Sequence, residues 1–169
     1  MTDGILQPPR RLTRDDDRSA FDSGAPELDD WFQRFAFENQ QANNAVTYVT
    51  VRDGVVLGYY AIAMSAYTTT ELPERMQVGR PTQTPCVLLA RLAVDRTAQG
   101  QGVGAALLRH AIEQAYVASR AVGAAAMIIH CRDEAARDFY LANGNFLASP
   151  VEPMHLVLPM KEISRRFGQ

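Results

Sequence analysis

Leu88-Leu89-Ala90-Arg91-Leu92-Ala93-Val94-Asp95-Arg96-Thr97-Ala98-Gln99-Gly100-Gln101-Gly102-Val103-Gly104-Ala105 decides what this chain folds into. An apolar run ends at Val94, a polar loop covers Asp95–Gly102, and a second apolar run opens among glycines. Cys86–Val94 has the length of a strand. Val103–Val122 has the length of a helix, with Leu107, Ala111, Ala115 and Ala118 on one face and Gly123 as its C-cap. Glycine tolerates positive φ and lets a ligand approach the main chain. Several N–H groups therefore converge where the helix starts, and the helix dipole favours an anion there. Such a loop can cradle phosphate without a charged side chain.

The flanking sequence extends this strand–turn–helix in both directions. Val46–Arg52 and Val55–Ser65 alternate, and Asp53-Gly54 between them is a strong hairpin signal. Pro26 suits a helix first turn, and Glu27, Asp29 and Asp30 suit its dipole. Leu28, Trp31, Phe32 and Phe35 give that helix one apolar face. A short extended segment is expected at Arg10–Thr13. Thr68–Pro85 reads as irregular, with Pro73, Gly79, Pro81 and Pro85 as breakers. Beyond the long helix come an apolar strand, Ala125–Cys131, and a shorter helix, Asp133–Leu141, closing at Asn143-Gly144. Met154–Leu158 is a last strand before a charged tail. The order β–α–β–β–β–α–β–α–β joins a hairpin to a βαβ unit. It predicts an α/β (α+β) fold with one mixed central sheet of about six strands and helices on both faces. No linker or repeat divides the chain, so residues 1–169 are expected to form a single domain.

Composition narrows the function. Apolar runs such as Val122–Ile129 are far too short to span a membrane, and Met1–Arg10 has no secretory apolar region. Cys86 and Cys131 lie far apart and form no CxxC pair, so two buried free thiols and a cytoplasmic location are expected. His110, His130 and His155 are scattered. His130 and Cys131 are adjacent on a strand and so face opposite ways, and no metal site is expected. The formal net charge is −2, with sixteen arginines and one lysine, Lys161. Arginine suits bidentate contact with phosphate. Arg10, Arg11, Arg14 and Arg18 cluster near the start but are diluted by Asp15, Asp16 and Asp17, and read as solvated surface.

Three kinds of phosphate loop can be compared with the glycines. A Walker loop needs GxxxxGK[ST], and no lysine lies in this region. The dinucleotide pattern GxGxxA formally matches Gly100–Ala105. It requires an acidic residue about 20 positions on, at the end of the next strand, and Asp133 is too far. The third pattern is Gln-x-x-Gly-x-Gly, here Gln99 to Gly104, and it resembles the coenzyme A signature of the GNAT superfamily. The strand Leu89–Asp95 and the helix after the loop resemble that family too. The resemblance implies a GNAT fold, acetyl coenzyme A as co-substrate and no metal. It assigns the pyrophosphate to Gln99, Gly100, Gln101, Gly102, Val103, Gly104 and Ala105, with Leu92, Ala93 and Val94 lining the cofactor. An N–H near Leu92 would serve the thioester carbonyl as oxyanion donor.

A second motif, Ala135-Ala136-Arg137-Asp138-Phe139-Tyr140, is followed by Gly144 and Phe146. It resembles the Ala-x-x-Phe-Tyr-x-x-x-Gly-Phe end of GNAT enzymes. There the tyrosine lies beside the thioester sulfur as general acid, which implies Tyr140 as catalytic residue and Phe139 as a cofactor contact. A phenol of pKa near ~10 stays protonated at neutral pH and can assist a thiolate of pKa near ~8.5 as it leaves. Packing in the core is the alternative role for Tyr140. Asn145 separates Gly144 from Phe146, one residue more than the family pattern.

The likeness continues outside these motifs. Leu12-Thr13, Phe21-Asp22-Ser23-Gly24, Glu27–Trp31, Val56–Ala61, and the tail Phe146 to Leu156 resemble the TacT/AtaT-type acetyltransferase toxins. The resemblance runs roughly from Leu12 to Ile163. It implies acetylation of the α-amino group of aminoacyl-tRNA, a ribbon-helix-helix antitoxin, operator DNA bound through the complex, and a homodimer. An α-amine, with a pKa near ~8, needs less help to deprotonate than a lysine near ~10.4, and neither motif carries a clear general base, since Glu134 near Tyr140 could equally cap a helix. A tRNA binder needs a basic face. Arg91, Arg75, Arg80 and the terminal clusters are its candidates, with Arg91 flanking the site as a substrate contact or, equally, a structural salt bridge. Two alternatives stay open: a GNAT enzyme for a small amine or protein N-terminus, and a non-catalytic GNAT-like binding module.

Overall fold

The structure is a computed structural model and describes residues 4–167. Its strands β1 (Arg10–Arg11), β2 (Val46–Arg52), β3 (Val55–Thr68), β4 (Gln83–Val94), β5 (Ala126–His130), β6 (Leu147–Ala148) and β7 (His155–Pro159) are hydrogen-bonded in the order β1-β2-β3-β4-β5-β7-β6. This is the expected mixed sheet, with seven strands in place of about six. The chain divides into two compact units. One comprises the residues up to Ala63 with Ala90–Ala111, and the other comprises Met64–Leu89 with the residues from Ile112 onward.

In the first unit, β1 (Arg10–Arg11) pairs with β2 (Val46–Arg52), which forms a hairpin with β3 (Val55–Thr68). Asp53 and Gly54 both have positive φ, 52° and 77°, as a type I′ turn requires. β1 is shorter than Arg10–Thr13 because Thr13 N–H turns to donate to the Asp16 carboxylate at 2.8 Å, while Arg10 forms an ion pair with the same group. α1 (Pro26–Arg34) starts on Pro26 with Glu27 and Asp29 in its first turn. It stops one residue before Phe35, which was expected on its buried face. Phe35, at φ −123°, is instead the exposed junction to α2 (Ala36–Gln41), and Ala36 takes the buried position one turn after Phe32. Leu12, Phe21, Phe32, Val49, Val56, Tyr59 and Ala93 form this unit's core. Gly58 lets α3 (Val103–Val122) lie close, since a Cβ there would meet Leu107 Cδ1 at 2.8 Å.

β4 (Gln83–Val94), which belongs to the second unit up to Leu89, begins three residues earlier than expected, because Pro85 can still accept Ala125 N–H on its carbonyl at 2.8 Å. β4 pairs in parallel with β5 (Ala126–His130) from Cys86↔Ala126 to Leu89↔Ile129 and continues beyond it through Ala90–Val94. β7 (His155–Pro159) lies antiparallel between β5 and the two-residue β6 (Leu147–Ala148), the strand absent from the sequence reading. α4 (Glu134–Asn143) is capped by Asp133, whose side chain accepts from Ala136 N–H at 2.8 Å. The charged tail is a helix, α5 (Met160–Phe167), that buries Met160 and Ile163 one turn apart. The segment expected to be irregular holds two short 3₁₀ turns, Thr69–Glu71 and Glu74–Met76. Among the described residues, no helix is long and apolar enough to cross a membrane.

Candidate active site

The glycine loop belongs to the first unit. β4 ends at Val94, and Asp95 caps the next turn by accepting Thr97 N–H at 3.1 Å and Thr97 Oγ1 at 2.7 Å. Gly100 and Gly102 have φ of 77° and 84°, a region closed to most side chains. Nothing lies within 4 Å of where a Cβ would stand at either glycine, so the loop is open on that side. Ala106 N–H donates to Gly102 O at 3.1 Å, which leaves Val103, Gly104 and Ala105 as the N–H groups a helix start cannot satisfy internally. An open main-chain concavity at the positive end of a 20-residue helix fits a diphosphate.

The two glutamines of the loop serve it differently from their neighbours. Gln99 Nε2 donates to Ser23 O at 2.8 Å and to Val94 O at 2.9 Å, and Gln101 Nε2 donates to Thr97 O at 3.2 Å. Their side chains brace the loop. The loop is also clasped from outside. Asp22 N–H donates to the Asp95 carboxylate at 2.9 Å, Arg96 N–H donates to Asp22 O at 2.8 Å, and Arg96 Nε donates to Asp22 Oδ1 at 3.0 Å. The 22–24 segment is thus a clamp on the loop, a role its sequence did not reveal.

Along the end of β4, Ala93 is buried in the core while Leu92 and Val94 are half-buried. Residues two apart share a face, so Arg91 lies on the side of Ala93 and Leu92 on the other. The Arg91 guanidinium stacks over Trp31, 4.4 Å from the ring centroid. Trp31 stacks in turn on Tyr59 at 6.1 Å. Among the described residues this stack, and no ion pair, is the contact of Arg91. Stacking uses the guanidinium face and spares its N–H donors.

Tyr140 belongs to the second unit, on α4. It is 7% exposed, and its ring meets Phe139 edge-on at 5.2 Å and Phe146 at 6.4 Å. Burial, then the proximity of Cys131 and Asp133, pushes the phenol well above its ordinary pKa. It is therefore neutral at working pH and keeps a hydroxyl hydrogen to donate. Burial also raises the Cys131 thiol to about 11, so that group is inert. The extra Asn145 is absorbed locally. Gly144 is extended, at φ −156°, and Phe146 folds back so closely that a Cβ at Gly144 would lie 2.5 Å from its ring. Phe146 stays buried against Tyr140, and Asn145 is exposed.

The scattered histidines are not all apart. The β5–β7 register sets His130 opposite His155, and their rings stack at 3.9 Å. His155 Nδ1 and Tyr67 Oη are hydrogen-bonded at 2.8 Å. Burial and the neighbouring His155 lower the His130 pKa. No local sequence signal announces this pair, because strand register creates it. Among the described residues no group of three metal-binding side chains occurs.

The first unit thus carries a helix start open to an anion, and the second carries a buried phenol. The acetyltransferase (GNAT) family matches residues 10–144, and the chain belongs to that family. It is 39% identical over 160 residues to the tRNA-acetylating toxin of Mycobacterium tuberculosis, covering 95% of this chain and 96% of that protein. AtaT complexed with acetyl-methionyl-tRNAfMet has a TM-score of 0.87 at 31% identity, covering 96% of this chain and 99% of that one. A tyrosine-to-phenylalanine mutant of AtaT, bound to the C-terminus of the antitoxin AtaR and acetyl-CoA, scores 0.80 at 28% identity, covering 98% and 99%. The AtaT–AtaR complex bound to DNA scores 0.76 at 31% identity, covering 94% and 98%.

Proposed function

We propose that this chain is an acetyl-CoA-dependent N-acetyltransferase toxin that acetylates the α-amino group of aminoacyl-tRNA and so blocks translation. The observation that carries the reading is 39% identity, spread over 95% of the chain, to a tRNA-acetylating toxin. The protein works as a single catalytic domain in the cytoplasm, as a homodimer. A ribbon-helix-helix antitoxin neutralises it, and the complex binds operator DNA. The relatives seen with an antitoxin and with DNA support these partners.

The chemistry follows from the helix start and the phenol. Gln99–Ala105 offers main-chain donors to the pyrophosphate, with the Val103, Gly104 and Ala105 N–H groups aimed by the helix dipole. Leu92, Ala93 and Val94 hold the thioester arm along the part of β4 that outlasts its register with β5, and Phe139 contacts the cofactor. The α-amine attacks the thioester carbonyl, whose oxygen takes a hydrogen bond from an N–H near Leu92. An N–C bond forms, the C–S bond breaks, and the surplus ammonium proton passes to water. Tyr140 donates its hydroxyl hydrogen to the departing sulfur and takes a proton back from water, which restores the phenol. Burial that raises the Cys131 thiol to about 11 shows how strongly such surroundings disfavour a bare thiolate. Arg91 lies beside the site, its stacked guanidinium ready for a substrate oxygen.

Purified protein, acetyl-CoA and either aminoacylated or deacylated tRNA test the reading. Acetyl transfer to the aminoacylated tRNA alone, with growth arrest on expression in bacteria, is the expected result. Transfer to small amines or protein N-termini in place of aminoacyl-tRNA would reject the toxin reading. Failure to bind acetyl-CoA in calorimetry would reject catalysis altogether.

A further inference from the structure

The second unit carries a charged feature that the acyl-transfer site does not use. Two cavities, of about 390 and 350 Å³, share Arg75, Pro159, Glu162 and Arg165 on their walls. Arg166 completes one, and Arg80 and Lys161 complete the other. Five cations and a single carboxylate thus face the same cleft, in a chain whose formal net charge is −2. The lone acid is itself engaged, since Arg165 Nη1 contacts both Glu162 oxygens at 3.0 Å. Among the described residues no ion pair involves Arg75, Arg80, Lys161 or Arg166. Lys161 and Arg165 stand one turn apart on α5, so the cations form a row along the helix. Arg75 lies within the 3₁₀ turn Glu74–Met76 and Arg80 follows it, with Arg80 Nε held on Met76 O at 2.6 Å.

Placement supports a reason for the row. Ala125, just before β5, lines the cleft, while Cys131, which electrostatically influences Tyr140, follows its end. A five-residue strand is about 15 Å long, so the Ala125 end of the cleft is set apart from the phenol, while Asn145 and Leu147 on the other cavity flank Phe146, which packs on Tyr140. A small amine at the phenol cannot span that distance, whereas a polyanion attached to the amine can. Arginine, with its planar fork, matches phosphate oxygens better than lysine does, and four of the five cations are arginines.

We propose that this cleft is an anchoring subsite for backbone phosphates of the nucleic-acid substrate. The proposal rests on the aminoacyl-tRNA reading above and deepens it by naming where the RNA is gripped. Arg75, Arg80, Lys161, Arg165 and Arg166 hold phosphates while the aminoacyl end lies at Tyr140. Coenzyme A also carries phosphate, so the test must separate the two sources.

The double variant Arg75→Glu/Arg166→Glu changes two exposed positions, and Arg75→Gln/Arg166→Gln is its milder counterpart. Steady-state kinetics are measured with aminoacyl-tRNA and with the methyl ester of the same amino acid. The KM for aminoacyl-tRNA should rise about tenfold, and the slope of log KM against log salt should fall by about 1.5. The KM values for acetyl-CoA and for the methyl ester, and kcat, should hold. An unchanged tRNA KM and salt slope would overturn the proposal, as would a rise in the acetyl-CoA KM alone, which assigns the cleft to the cofactor. If wild-type protein acetylates the ester but never the tRNA, the functional reading itself has failed.

Discussion

Tyr140 couples a simple local environment to a sharp chemical consequence. Its ring is enclosed by Phe139 and Phe146, and burial holds the phenol above its usual pKa. A group whose pKa is raised keeps its proton as pH climbs through the ordinary value. The rate should therefore rise with pH as the substrate amine loses its proton, near pH ~8 or below, and should show no decline near pH ~10. A pH–kcat profile checks this, and a falling limb between pH 9 and 10 would contradict it. Tyr140→Phe should cut kcat by about 10²-fold with the KM for acetyl-CoA nearly unchanged, since phenylalanine keeps the packing and loses only the donor. Single-turnover kinetics with labelled acetyl-CoA measure this directly. Asn145 shows how little one inserted residue alters when a glycine next to it lets an aromatic ring fold back.

At the scale of elements, the glycine loop depends on the clamp that holds it. Asp22 binds Asp95 and Arg96, and Ser23 O receives Gln99, so three loop residues are fixed from a segment more than 70 positions away in sequence. The ion pair within the clamp is exposed and contributes little stability by itself. Its effect should lie in pre-organisation of the loop. Asp22→Ala should raise the KM for acetyl-CoA several-fold while leaving kcat at saturating cofactor and the melting temperature nearly unchanged. A large fall in kcat with no change in KM would show that the clamp does something else. Helix and strand identities in this region were legible because their periodicity is strong. The clamp was not, because it consists of main-chain and short polar contacts that no periodicity reports.

For the whole molecule, cofactor binding and folding are linked. A ligand that binds only the folded chain stabilises it by about 2.7 kcal/mol at a hundredfold excess over Kd. For a chain of 169 residues this corresponds to a rise in melting temperature of roughly 5–10 °C. Scanning calorimetry with and without acetyl-CoA measures it. Gly100→Ala combined with Gly102→Ala forces two side chains into left-handed backbone, at about 1–2 kcal/mol each. That variant should melt lower than the wild type and lose most of the acetyl-CoA shift. A full shift in the variant would mean that the loop does not bear the cofactor.

Local order, as far as it is written in hydrophobic period and turn chemistry, was determined by the chain itself. Asp53-Gly54 specified its turn, Cys86–Val94 and Val103–Val122 specified the central strand and helix, and Gln99–Gly104 marked the glycine turn between them. Short or one-sided elements escaped: β6 has two residues, and α5 shows its apolar side through only Met160 and Ile163. Tertiary structure alone decided the rest. Strand register stacked His130 on His155, a helix break at Phe35 moved the buried position to Ala36, and folding gathered cations from residues 75 to 166 around one cleft. Periodicity reports which face of an element is buried. Which distant side chains meet depends on register, helix breaks and close approach, and these are properties of the packed molecule.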